Sequence, residues 1–188
     1  FYMIKKIDKD RRIELEFKAS EVLFNNDMYK IPVNLLKIAK NCGIEVLEAD
    51  FKKMGIENIS GAIRYKDNKF SILLNETDSY ERKRFTLAHE LGHFFLDREV
   101  LVSKKIHLDT LYRSVIAETH YEAKMYEEDA YPKLTSEHEI DYFAGALLMN
   151  PLILKKVCEV ENSISELAKI FKVSVSAMTV RLDILGLI

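Results

Sequence analysis

Two histidines four residues apart, with a glutamate directly after the first, stand in the run Arg84-Phe85-Thr86-Leu87-Ala88-His89-Glu90-Leu91-Gly92-His93-Phe94-Phe95-Leu96. Leu87, Leu91 and Phe94/Phe95 recur at helical spacing and no proline interrupts them, so the run is predicted to be helical. At about 3.6 residues per turn, His89 and His93 share one face, and two imidazoles can converge on one zinc ion at about 2.0–2.1 Å. Glu90 lies about 100° round the helix from His89, near such a metal but poorly placed to share its ligand face. Its carboxylate suits another task, taking a proton from a zinc-bound water, as the glutamate of His-Glu-x-x-His does in metalloproteases.

The competing explanation is a surface helix whose histidines face water or cap a core. Gly92 argues against it, because a glycine inside a helix costs about 1 kcal/mol relative to alanine. A close approach at that face would account for the glycine, and a second helix crossing beneath the metal would provide it. Zinc also needs at least a third protein ligand, with the fourth position open to water if the site is catalytic. Thr135 or Ser136 can cap a helix from Glu137 to Met149 that stops at Asn150-Pro151. Phe143, Ala144, Leu147 and Leu148 form its apolar stripe, and small Ala144, Gly145 and Ala146 are expected to let it come near Gly92. On this helix lie Glu137, His138, Glu139 and Asp141. His138 competes with Glu139 as ligand on chemistry alone, and spacing does not decide between them.

Phe85-Thr86-Leu87-Ala88-His89-Glu90-Leu91-Gly92-His93, followed by Glu139-Ile140-Asp141-Tyr142-Phe143-Ala144 and Leu147-Leu148-Met149-Asn150, resembles the ImmA/IrrE family of zinc metallopeptidases. Ile31-Pro32-Val33-Asn34-Leu35-Leu36, Ile59-Ser60-Gly61 and the late Leu167-Ala168-x-x-Phe171-x-Val173-Ser174 fit the same layout, so the resemblance extends from about residue 30 onward. It implies a zincin-like fold in which His89, His93 and Glu139 bind Zn²⁺ and Glu90 is the general base. It also implies a protein substrate, since such enzymes typically cut a helix-turn-helix transcriptional repressor. Two departures stand out: the usual Glu-Ala-Asn reads Glu139-Ile140-Asp141, and the usual Met-Pro reads Met149-Asn150-Pro151. Neither removes a ligand. The segment between His93 and Glu139 is longer than in typical relatives, which bears on substrate access and not on zinc chemistry.

The elements that must position these residues are predicted as an α+β arrangement, mainly helical with a small β-sheet. An N-terminal helical extension occupies residues 1–30, a metallopeptidase core 31–150, and a C-terminal helical, helix-turn-helix-like segment 151–188. The first helix covers residues 10–26, with Ile13, Phe17, Ser20/Glu21 and Phe24 drifting round one side. A second runs from Val33 to Asn41 behind Pro32, burying Leu35, Leu36 and Ala39, and Gly43 caps it left-handed. Ile44–Leu47 is a short strand. Ile59–Tyr65 and Phe70–Asn75 flank a polar four-residue turn and read as a hairpin, whose edge could pair with an extended peptide. Asp78 or Ser79 can cap the metal-binding helix, Tyr80 to Leu96, with Arg82, Lys83 and Arg84 at its start as a solvated face that can include a structural ion pair. An inserted helical segment is expected at about 100–132, with Thr110–Glu128 as its helix, in a packing, lid or docking role. Tyr and His side chains within 107–142 are the candidates for stabilising an oxyanion.

Bulk properties narrow the function classes. The chain has 188 residues, 48% hydrophobic and 31% charged, an ordinary globular balance, and a formal net charge of −2 gives no general attraction for nucleic acid or anionic membrane. Cys42 and Cys158 are far apart and read as small buried hydrophobes in a reducing compartment. No apolar run reaches membrane-spanning length and no signal peptide is visible, so a cytoplasmic protein is expected. Phe1-Tyr2 ahead of Met3 carry no functional weight.

Ser163–Phe171 and Val175–Leu185 read as two short helices about a Lys172-Val173-Ser174 turn, the pattern of many helix-turn-helix units. A DNA-reading helix wants several basic or amide side chains at its exposed start, and Ser174, Ser176, Thr179 and Arg181 are a thin set. Packing on the core is the better-supported role. The rivals to a zinc endopeptidase are therefore a DNA- or protein-binding regulator that keeps the fold, and a toxin–antitoxin component released by a partner.

Overall fold

The computed structural model describes residues 7–55, 59–103 and 135–188. The helix expected over Thr110–Glu128 lies outside these residues. Helix α1 spans Lys9–Asn25 and starts where the Asp8 carboxylate accepts the Arg11 N–H at 2.9 Å. It buries Leu15, Ala19, Val22 and Leu23, whereas Ile13, Phe17 and Phe24, the side expected inside, are 58%, 73% and 73% exposed. The helix carries two apolar faces. The one that docks is the one that also brings Glu16 within reach of polar partners on other elements.

Helix α2, Leu35–Asn41, is capped by Asn34 and buries Leu35, Ile38 and Ala39, while Leu36 stays exposed against expectation. Gly43 then turns the chain with φ +71°, as the sequence predicted. Three strands follow: β1 (Glu45–Ala49), β2 (Gly61–Lys66) and β3 (Lys69–Asn75), in the order β1-β3-β2. β3 is central, parallel to β1 and antiparallel to β2. The hairpin is tighter than expected. Lys66 pairs with Lys69, leaving only Asp67 and Asn68 in the turn, both at positive φ (50° and 61°) as a two-residue hairpin turn demands.

β2 lies directly on helix α3, Tyr80–Ser103. A Cβ at Gly61 would collide with the Thr86 methyl and stand 3.0 Å from the Leu73 carbonyl oxygen, so only hydrogen fits there. Ser79 caps α3, its hydroxyl accepting the Arg82 N–H at 3.3 Å, and the helix runs past Leu96 to take in Val100-Leu101-Val102. Its basic start is solvated at Arg82, whose side chain is 53% exposed, and tied down at Lys83 and Arg84. Lys83 meets Glu48 at 2.7 Å, and Arg84 donates to the Val33 and Lys172 carbonyls at 3.1 and 3.0 Å.

Helix α4, Glu137–Leu148, packs across α3 on one side and α1 on the other. The close approach predicted at Gly92 is present: a Cβ there would stand 3.1 Å from Ile140 Cγ2 and 3.2 Å from Phe143 Cδ1. The residues facing Gly92 are thus Ile140 and Phe143; of the small trio, Ala144 and Ala146 are buried and a Cβ at Gly145 would meet nothing within 4 Å. Helices α5 (Pro151–Cys158), α6 (Ile164–Phe171) and α7 (Val175–Ile184) complete the described chain. Leu15 and Leu23 of α1 and Phe171, Met178 and Leu182 near the end join the same buried cluster as the sheet and α3, so both terminal segments share one core. Among the described residues no helix is long and apolar enough to cross a membrane.

Arg181 ties the ends of the chain together. It is 2% exposed, donates from Nε to the Met149 carbonyl at 3.0 Å and grips Glu16 through both terminal nitrogens at 2.6 and 2.8 Å. Tyr142 donates its hydroxyl to the same Glu16 at 3.0 Å, and burial with that carboxylate nearby pushes the phenol up to about 12. Arg181→Met is expected to cost about 3–5 kcal/mol, because Glu16 is left as an uncompensated charge. Adding Glu16→Gln should recover part of the loss, and urea denaturation of the single and double variants reads both values.

Candidate metal centre

His89 and His93 stand one turn apart on α3, with ring centroids 4.9 Å apart. Each Nδ1 is held by a carboxylate: His89 by Asp141 of α4 at 2.8 Å, His93 by Asp97 of α3 at 3.0 Å. An ionised carboxylate only accepts, so each ring carries its proton on Nδ1 and turns the Nε2 lone pair the other way. Asp97 is itself fixed by the Thr135 N–H at 2.8 Å. Burial works to raise the Asp97 carboxyl, but its hydrogen bonds from His93 and Thr135 carry it below the ordinary range.

Both Nε2 atoms point at one residue. Glu137 Oε2 lies 3.1 Å from His89 Nε2, and Glu137 Oε1 lies 3.5 Å from His93 Nε2. Among the described residues, His89, His93 and Glu137 form the one group able to hold a metal ion, their ligand atoms all within 4.8 Å of one another. Ligands about 2.0–2.1 Å from a tetrahedral zinc stand roughly 3.3–3.4 Å apart, and the carboxylate of Glu137 approaches each Nε2 at about that range, one oxygen to each. Two imidazoles and a carboxylate also suit zinc chemically, so the residues present fit the ion. His89 is 2% exposed and Glu137 45%, so the centre is buried on the α3 side and open on the other.

Glu139, the ligand carried over from the family resemblance, is placed elsewhere. One oxygen accepts from Arg11 Nε of α1 at 2.6 Å, and the other accepts the Ser136 N–H and hydroxyl at 3.0 and 2.8 Å. The Ser136 hydroxyl accepts the Glu139 N–H in return, which is a capping box. Burial alone would raise the Glu139 carboxyl, yet Arg11 and Ser136 hold it below the usual carboxylate range. Glu139 therefore fastens the start of α4 to α1, and Glu137, two residues earlier, faces the histidines. His138 is not in the ligand group either.

A signal for this was in the sequence. Glu137 and Asp141 are four apart, so a helix puts them on one face. One meets the Nε2 pair and the other meets the back of His89. Glu90, the expected base, follows His89 on α3 and is 7% exposed. Tyr142 cannot serve as an oxyanion donor, since its hydroxyl is spent on Glu16.

With this geometry in hand, comparison with known proteins is specific. The model of peptidase family M78, described as the IrrE N-terminal-like domain, matches residues 39–183, well over half the chain and including both α3 and α4. No curated protein matches in sequence. Among solved structures, a Mycobacterium tuberculosis transcriptional regulator aligns with a TM-score of 0.56 at 18% identity, over 92% of this chain and 48% of that one. The chain thus spans about half the length of that protein, and the likeness is one of fold.

Proposed function

The chain belongs to the IrrE N-terminal-like peptidase family, and on that premise we propose that it is a zinc-dependent endopeptidase of zincin type. The observation that carries this is the convergence of His89 Nε2, His93 Nε2 and the Glu137 carboxylate, with both Nδ1 atoms locked from behind. Zinc held by these three residues would act as a Lewis acid and make water acidic enough to attack near neutral pH. Glu90 would take the proton from the attacking water as its oxygen bonds to the peptide carbonyl carbon. The same carboxylic acid would then give that proton to the amine as the C–N bond breaks. Asp141 and Asp97 keep the imidazoles in the tautomer that leaves Nε2 free for metal.

The substrate proposed is a cellular regulatory protein such as a helix-turn-helix repressor. The rival reading, direct DNA recognition by the C-terminal helices, draws little from this geometry. Arg181 is the single basic residue of α7, and it is buried against Glu16 and not displayed. Incubation with purified candidate repressors tests the proposal. Cleavage should stop with a chelator and return with stoichiometric zinc, while cleavage indifferent to chelation would reject a metal mechanism.

A further inference from the structure

The face of the sheet turned away from the core carries charge that the metal centre does not use. Side chains alternate along a strand, so Arg64 and Lys66 of β2 share this face, as do Lys69 and Ser71 of β3. The register makes them a two-by-two block, with Arg64 opposite Ser71 and Lys66 opposite Lys69. Their neighbours Ile63 and Ile72 turn the other way, into the core, at 2% and 0% exposed. The block lines a recess of about 330 Å³, together with Gly43 and Glu45 from the start of β1 and Asp67 from the hairpin turn.

The donors around this recess are unspent. Like charges directly opposite each other across a ladder work against pairing, and here two lysines close the hairpin. Among the described residues, none of Arg64, Lys66 and Lys69 forms an ion pair with Glu45 or Asp67. Arg64 Nε is buried and has no hydrogen-bond partner, a costly state for a donor on a charged group. Ser71 is 8% exposed, and its hydroxyl also bonds to none of the described residues.

We propose that this recess binds a phosphate group, as free phosphate or as the monoester of a small molecule. A guanidinium presents parallel N–H donors that match two phosphate oxygens, and the two ammonium groups act as point charges beside it. A phosphate monoester carries about −1.5 to −2 of charge at pH 7 and three acceptor oxygens, more than a single carboxylate offers. The recess lies at the lower end of the size range of ligand pockets, which suits a small phosphorylated molecule. Glu45 and Asp67 on its rim oppose a long polyanion such as a nucleic-acid backbone. None of His89, Glu90, His93 and Glu137 lines it, so the proposal is independent of the peptidase reading.

Isothermal titration calorimetry on the full chain tests it, with inorganic phosphate and glycerol 3-phosphate as probes and potassium chloride at matched ionic strength as the blank. Arg64→Gln should weaken binding roughly tenfold or more, as the loss of a hydrogen bond to a charged group does. Lys66→Gln/Lys69→Gln removes two exposed charges and should weaken binding several-fold, while melting no lower than wild type because it relieves the opposed lysines. That double variant carries the test if Arg64→Gln fails to fold. Glu45→Gln, which removes a repelling carboxylate, should tighten binding. Phosphate bound to a metal at the histidines would persist in all these variants, so only the component they alter counts. Tighter binding of glycerol 3-phosphate would support a monoester as occupant, and equal affinities would support free phosphate. Titrations no different from the blank, or affinities that the double-lysine variant leaves unchanged, would overturn the site.

Discussion

Glu90→Gln protein is expected to keep about one zinc per chain while its turnover falls by roughly a hundredfold to ten-thousandfold, the range over which a positioned acid–base group acts. The substitution is nearly isosteric, and Glu90 is 7% exposed in the middle of α3, so the helix and its packing should survive it. On the proposed mechanism, what is lost is the proton acceptor: an amide oxygen in its place could still orient water but could not carry its proton to the leaving amine. The effect should therefore fall on kcat, with KM little changed, as for an interaction made only in the transition state. Peptide cleavage assays on metal-matched protein read it. Turnover within a few fold of wild type would assign the base to another residue.

The second large effect concerns the third ligand. Glu137→Ala removes the only carboxylate, among the described residues, that meets both Nε2 atoms. Two imidazoles alone hold zinc weakly against water, so the variant should leave purification without metal. Glu139→Ala removes something different. It breaks the capping box and the 2.6 Å contact with Arg11, a loss of about 1 kcal/mol typical of a helix N-cap, and it leaves the ligand group in place. A ligand that binds only the native state stabilises by RT ln(1 + [L]/Kd), about 2.7 kcal/mol at a hundredfold excess over Kd. Added zinc should accordingly raise the melting temperature of wild type and Glu139→Ala, and should not raise that of Glu137→Ala.

The contrast between these glutamates shows where reading a sequence stopped. The pairing of His89 with His93 was legible because their chemistry and their period coincide within one helix. The crossing helix was legible from Gly92, whose missing side chain marked a close contact before its partner was known. Glu137 and Glu139 were harder to separate, because both sit in the first turn of α4 and a capping box uses the same residue type as a metal site. The i, i+4 spacing of Glu137 and Asp141 was a local hint, and the contact with Arg11, far away in the chain, draws Glu139 toward α1. The same holds for α1, where Ile13, Phe17 and Phe24 make as good an apolar stripe as Leu15, Ala19 and Val22. The Glu16–Arg181 pair, 165 residues apart in sequence, lies on the face that docks, and no local pattern reports it. The hairpin shortened for a local reason, since Asp67 and Asn68 tolerate positive φ and let Lys66 and Lys69 join the ladder.

The peptidase proposal turns on which carboxylate completes the centre. The direct measurement is zinc content by elemental analysis of wild type, Glu137→Ala and Glu139→Ala, purified side by side without added metal. About one zinc per chain is expected in wild type and in Glu139→Ala, and essentially none in Glu137→Ala. Zinc retained in Glu137→Ala and lost from Glu139→Ala would contradict this, and no zinc in wild type after reconstitution at neutral pH would contradict the metal centre itself.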